Sequence, residues 1–292
     1  MRIIVAGSSG QLGTEIISGF KKGISEIGEI SKKYRKSEII GINSRDIDIS
    51  NLDKVLQYIE HAKPNIIINT AAYTNVDGCE ENSDMAFKVN SLGARNLAVA
   101  AEKVGAKLIH ISTDYVFDGS SNIPYKEYDI TKPVSVYGKS KLLGEKYVQD
   151  FCSKYFIVRT AWLYGDEGKN FVKTILKAAR EKGYLEVVND QRGNPTNVED
   201  LAYHILKIAL TDEYGIYHCT GNGECSWYEF ACKIVEYAEI DCVVKPITSD
   251  KLDRKARRPS YSCLDNMMLR CTVGDETRNW NEALKSFIKR NI

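Results

Sequence analysis

From residue 2 to residue 161 the chain repeatedly switches between two hydrophobic periods, and that alternation narrows the fold more than any other feature. RIIVAG (2–7) is a short β-rich run, and QLGTEIISGFKKG (11–23) has apolar residues at helical spacing with a charged far face. SEIIGIN (37–43) reads as a second strand. SNLDKVLQYIEHAKP (50–64) reads as a helix, with Ser50 or Asn51 as N-cap and Pro64 beyond its end. NIIINTAA (65–72) is apolar on both faces, as an interior parallel strand is. One long helix is expected over 84–105, closed by Gly105, then strand 106–113, helix 135–152 and strand 155–161. Strand and helix in strict alternation build a parallel sheet covered on both faces.

After Trp162 the regularity breaks. Helices are expected near 170–183, 198–210, 226–239 and 275–290, with strands near 185–189 and 215–219. The expected fold class is α/β, a Rossmann-type doubly wound sheet with a smaller, mostly C-terminal α/β substrate-binding lobe. Residues 1–160 form the nucleotide-binding part, elements near 197–219 complete it, and 161–292 are mainly the second lobe. A chain of 292 residues with 43% hydrophobic residues can bury such a core.

Lys plus Arg number 40 against 39 Asp plus Glu, a balance that points to neither a nucleic-acid nor a membrane partner. The apolar runs are too short to cross a bilayer. Eight cysteines show no C-x-x-C pair, so they read as reduced cytoplasmic thiols. A metal site from His218, Cys219 and Cys225 lacks the tight pairing of zinc ligands, and none is expected.

Four stretches carry chemistry. GSSGQLG (7–13) lies between the first strand and the first helix, where a dinucleotide's pyrophosphate is cradled. Gly7, Gly10 and Gly13 allow a tight turn, close approach of backbone to phosphate, and close helix–strand packing. The second strand runs into INSRD with no acid before Asp46. Arg45 is then either the partner of a 2′-phosphate or a solvated loop cation, while Asp48 and Ile49 are placed to flank the adenine. In YGKSK, Tyr137 and Lys141 share one helix face. An ammonium there is expected to lower the phenol's pKa into the working range. Thr113, at the end of the fourth strand, completes a Thr–Tyr–Lys set unless it merely caps a loop.

GSSGQLG, NTAAYTNVD, STDYVFDG, VYGKSKLLGE, RTAWLYG, VVNDQRGNPT, SWYEFA and ARRP follow in the order and spacing of dTDP-4-dehydrorhamnose reductases. The chain resembles that family, of the extended short-chain dehydrogenase/reductase superfamily, along nearly its whole length. The resemblance implies reduction of the 4-keto group of dTDP-4-dehydro-L-rhamnose to dTDP-L-rhamnose, for cell-surface polysaccharide, by NADPH with NADH left open. It implies that Gly10, Gln11 and Leu12 meet the pyrophosphate and that Ala71, Ala72, Tyr73 and Thr74 line the cofactor. Thr113, Asp114, Trp162 and Asn170 then meet the sugar, Tyr137 donates the proton and Lys141 supports it. The substrate's diphosphate calls for cations, and Arg257 with Arg258 are expected to grip it. Some members bridge two subunits through magnesium held by glutamates. Glu15 and Glu199 match two of these, FIKRNI at the C-terminal end offers no third, and no metal is expected. The partners implied are a dTDP-sugar and a second copy in a homodimer. Two rival readings are a sugar-nucleotide epimerase or dehydratase, disfavoured by Asp114–Tyr115 where a dehydratase carries Asp-Glu, and a regulatory subunit like that of methionine adenosyltransferase.

Overall fold

A computed structural model describes residues 1–291. Its centre is a six-stranded, all-parallel sheet in the order Glu38–Ile42, Arg2–Ala6, Ile66–Asn69, Lys107–Thr113, Tyr155–Thr160, Gly215–His218. Successive residues of a strand face opposite ways, and the core divides accordingly. Ile3 and Val5 pack beneath helices Gln11–Lys22 and Val198–Ile208. Ile4 and Ala6 pack beneath helices Leu52–Ala62, Gly93–Val104 and Val136–Phe151. The order turns around between the first and third strands, the place where open α/β sheets leave a crevice at their carboxyl ends.

The second lobe has its own core, built from helices Phe171–Lys182, Trp227–Tyr237 and Trp280–Asn291. A parallel pair of strands, Tyr184–Val188 and Val243–Ile247, flanks them. No helix among the described residues is long and apolar enough to cross a membrane.

Several elements differ from the periodicity. The single helix expected over 84–105 is Ser83–Phe87, a π-turn Lys88–Leu92, and Gly93–Val104. The wide turn sets Asn90 inward, where its Oδ1 accepts from Tyr73 N at 2.8 Å and its Nδ2 donates to Tyr73 O and Ser140 Oγ. A π-turn inside a helix is a common way to aim one side chain. The last helix starts at Trp280, because Arg278 is pulled out to Asp200 and Glu26. The hairpin of Ile24–Ser25 and Gly28–Glu29, helices Val76–Glu81 and Met267–Thr272, and strand Val243–Ile247 had no clear signal in the pattern.

The glycine loop divides into two kinds of position. Gly7 has φ +83°, and a Cβ there would lie 2.6 Å from Ala71 N. At Gly13 a Cβ would lie 2.3 Å from Gly7 O, so the first turn of the helix packs directly on the loop. At Gly10 a Cβ meets only Gly7 O, at 3.3 Å. Gly13→Ala is therefore expected to destabilise by about 1–3 kcal/mol, as overpacking does, and Gly10→Ala by much less. Urea unfolding of the two variants, compared at constant slope, checks the difference.

Candidate functional site

The carboxyl edge of the sheet opens into two connected hollows. The first, about 280 Å³, is bounded by Gly7, Gly10, Asp48, Ile49, Ala71 and Ala72, together with Ile42, Asn43 and Ser44. The second, about 510 Å³, is bounded by Gly10, Gln11, Leu12, Ala72, Thr74, Thr113, Asp114, Tyr137, Lys141 and Trp162. Gly10, Thr70 and Ala72 border both, so one groove runs from the glycine loop to Tyr137 and Lys141.

The residues present suit a dinucleotide. Helix Gln11–Lys22 begins at Gly10 with no side-chain cap and no acid in its first turn, so its leading N–H groups are free to meet an anion. Beyond strand Glu38–Ile42, Asp46 accepts from Asn43 N and Asp48 accepts from Ser50, both closing local turns. Those bonds to Ser50 hold the Asp48 carboxyl below its ordinary pKa. Arg45 is exposed beside the hollow rather than part of its wall. Tyr73 lines neither hollow: its hydroxyl lies over Gly78, and its backbone is held by Asn90.

At the reactive end, strand Lys107–Thr113 presents Thr113, and helix Val136–Phe151 presents Tyr137 and Lys141. The Thr113 hydroxyl donates to Asp114 Oδ1 at 2.9 Å and accepts from Tyr115 N. Burial pushes the Asp114 carboxyl up to about 6, and its Oδ2 has no partner. Lys141 is almost fully enclosed, and its Nζ donates to Ile111 O at 2.5 Å. Burial brings its pKa down to about 8, against the Glu145 charge that raises it.

Tyr137 corrects an expectation. Lys141 does not lower its phenol here; the protein crowded around the ring raises the pKa well above that of free tyrosine, and the Thr113 hydroxyl is the group pulling it down. The ammonium is engaged with the Ile111 carbonyl instead. In this state the phenol is a protonated acid throughout the neutral range.

Trp162 has φ +46° and stacks on Trp227, with ring centroids 3.4 Å apart and planes at 7°. A non-glycine residue in that region is held by its surroundings, here by the stack. Both rings face the reactive hollow. Asn170 does not reach it. It caps helix Phe171–Lys182 and donates to Gln11 Oε1 at 2.9 Å, joining the second lobe to the glycine loop.

Arg257 and Arg258 border a separate cleft of about 610 Å³ with Arg254, Lys132 and Gln191. Arg258 is committed to Asp77, at 2.8 Å, and to Ala256 O, so the pair does not act as one grip. Burial and the Arg258 charge together lower the pKa of Arg254, the sign of a cation crowded by cations. Arg254 was hidden in the basic stretch 251–259. Ser112 and Trp227 lay inside STDYVFDG and SWYEFA without a role of their own, and Asn90, bonded to Tyr73 and Ser140, carried no signal in the sequence.

No three His, Cys, Asp or Glu side chains among the described residues are grouped to hold a metal. His218 is buried and bonded by Nδ1 to Tyr125 O and Asp265 O. Around Glu15, whose carboxyl is pushed up to about 7 by burial and then by Glu199, the place of a cation is taken by Arg290. Its guanidinium bonds Glu199 at 2.8 Å and Glu26 at 2.5 Å.

The sequence profile of the RmlD substrate binding domain matches residues 1–292. A solved dTDP-4-dehydrorhamnose reductase from Clostridium acetobutylicum is 46% identical, with TM-score 0.94 over 100% of this chain and 99% of its own. One from Bacillus anthracis, solved in complex with NADP, is 40% identical with TM-score 0.92, covering 99% of both chains. The Bacillus subtilis spore coat polysaccharide biosynthesis protein SpsK is 38% identical over 99% of this chain and 97% of its own. The chain belongs to the dTDP-4-dehydrorhamnose reductase family, NAD(P)-dependent dTDP-sugar reductases of the extended short-chain dehydrogenase/reductase superfamily.

Proposed function

We propose that this protein uses NADPH to reduce the 4-keto group of dTDP-4-dehydro-L-rhamnose, giving dTDP-L-rhamnose. The observation that carries the reading is the convergence of Thr113, Tyr137, Lys141 and Trp162 on one hollow continuous with the glycine-loop groove. Residues 1–160 with 197–219 hold the cofactor in this reading, and most of 161–292 faces the sugar nucleotide. The nicotinamide, when bound, supplies the hydride.

The chain's own part is positioning and proton supply. Thr113, turning its hydroxyl from Asp114, donates to the substrate carbonyl oxygen, and Tyr137 delivers its proton to that oxygen as negative charge develops. Once the proton has left, Lys141, one helical turn away, is the cation placed to turn from the Ile111 carbonyl to the phenolate. The stacked Trp162 and Trp227 form an apolar wall for the deoxysugar, and Arg254 and Arg257 attract the diphosphate into the neighbouring cleft.

For NADPH over NADH, support comes from the strand end, where Asp46 and Asp48 are tied into local turns and Arg45 is free to swing to a 2′-phosphate. A homodimer remains the proposed assembly.

Tyr137→Phe removes only the phenolic oxygen and is expected to lower turnover by ~10²–10⁴-fold, the contribution of a positioned acid. Stopped NADPH oxidation against a panel of dTDP- and UDP-linked 4-keto-6-deoxyhexoses measures this and ranks the substrates. Near-normal turnover, with chemistry limiting, removes Tyr137 from the role.

The pH dependence follows from two side chains. Lys141, with its pKa brought down to about 8, is charged below that value, so the rate falls as pH rises through it, before the phenol titrates. Asp114, pushed up to about 6, is ionised and able to accept from a sugar hydroxyl only above that value, so kcat/KM falls as pH drops through it. A kcat/KM profile flat between pH 5 and 9 contradicts both assignments.

Arg45→Ala is expected to weaken NADPH binding by about 1.5–3 kcal/mol, the range for hydrogen bonds to charged groups, and to leave NADH binding unchanged. Calorimetric titration with each cofactor decides it, since equal losses mean that Arg45 shapes the loop only.

A further inference from the structure

Behind the reactive hollow lies a buried ion pair that the mechanism above does not use. Glu145 follows Lys141 by four residues, as Lys141 follows Tyr137, so all three share one face of helix Val136–Phe151. Arg159 comes from strand Tyr155–Thr160, where it is the direct register partner of Ser112. Its Nε donates to Glu145 Oε1 at 3.0 Å and its Nη2 to Glu145 Oε2 at 2.8 Å. The two side chains are 3% and 2% exposed. The Ser112 hydroxyl donates to the same Oε1. Arg159 Nη1 reaches Glu127 O and His218 Nε2, both at 3.4 Å, and the guanidinium lies over the Phe117 ring.

The helix is thus pinned to the sheet at two consecutive turns. Lys141 is held by the carbonyl of Ile111, and Glu145 by the hydroxyl of Ser112 and the guanidinium of Arg159. Thr113 is the next residue along the strand. A fully enclosed ion pair is a poor way to stabilise a fold, because desolvation offsets most of the attraction and apolar residues of similar size often serve as well. Its place beside the lysine gives it another use.

We infer that Glu145, clamped by Arg159 and Ser112, is a positioning residue for the reaction: it docks helix Val136–Phe151 on strand Lys107–Thr113 so that Tyr137 stands opposite Thr113, and it places a carboxylate one helical turn from Lys141. The inference rests on the proposed roles of Tyr137 and Lys141. Other groups facing Lys141 cannot substitute. His110, on strand Lys107–Thr113, is kept neutral by burial and by the Lys141 charge itself. Tyr137 is protonated, and Arg159 carries the wrong sign. Among these neighbours Glu145 is the group whose charge opposes the effect of burial on the lysine.

The test uses the full-length protein with ¹³Cε-labelled lysine, the Lys141 signal being assigned by its loss in Lys141→Met. In Glu145→Gln, the midpoint of the Lys141 titration is expected to fall by about one pH unit or more, the scale of a lost charge partner. The high-pH limb of kcat should shift with it, and kcat at pH 8 should fall by about fivefold or more with KM for the sugar nucleotide little changed. Glu145→Leu/Arg159→Leu removes both charges while keeping volume, and should melt near the wild-type temperature yet show the same lowered midpoint and slow turnover. It carries the test if the single variant folds poorly. An unshifted lysine midpoint and pH limb in Glu145→Gln, or recovery of both in the double variant, overturns the inference. The titration needs no substrate, so a wild-type enzyme that turns over no keto-sugar nucleotide refutes the proposed function and still leaves Glu145 decided.

Discussion

The docking of helix Val136–Phe151 onto the carboxyl half of strand Lys107–Thr113 is the contact on which the rest of the site depends. It brings a phenol, an ammonium and a carboxylate on one helical face against Ile111, Ser112 and Thr113, three consecutive strand residues. Parallel packing makes this economical in residues, because every strand ends at the same edge and a short loop can carry chemistry. Asn90, set inward by the π-turn, ties the same helix through Ser140 to the backbone of Tyr73 in the cofactor loop. Reactive end and cofactor loop are therefore referred to one rigid element.

The second lobe is joined to this frame by polar contacts and by a small apolar cluster in which Leu264 and Tyr261 pack with Val116, Phe117 and Tyr125. Asn170 reaches Gln11, Arg258 reaches Asp77, and Arg278 reaches Asp200 and Glu26. The stacked Trp162 and Trp227 give that lobe a stiff face toward the hollow, since a left-handed tryptophan persists only where its neighbours leave it no alternative. A stiff aromatic wall suits a site that recognises a ring of fixed shape.

Burial governs the electrostatics throughout. It raises the Tyr137 phenol, lowers the Lys141 ammonium and raises the Asp114 carboxyl, each by disfavouring the charged form. Spacing alone suggests the reverse for Tyr137, because a lysine four residues on is an obvious charge partner. In the folded chain that lysine turns to the Ile111 carbonyl, and the phenol's nearest help is Thr113. Glu145 then becomes the counterweight that keeps the lysine charged.

What the sequence by itself determined is what short-range periodicity and turn chemistry encode: the alternating strands and helices, the glycine cradle, the cap at Gly105, and the one-turn spacing of Tyr137 and Lys141. These are local properties, readable because a strand repeats every two residues and a helix every 3.6. Tertiary structure alone decided the rest. The π-turn at Asn90, the Trp162–Trp227 stack, the commitment of Arg258 to Asp77 and the Ser112–Glu145–Arg159 clamp each join residues far apart in the chain. The sense of each pKa shift belongs with them, because desolvation depends on everything packed around a group, and no stretch of sequence contains its own surroundings.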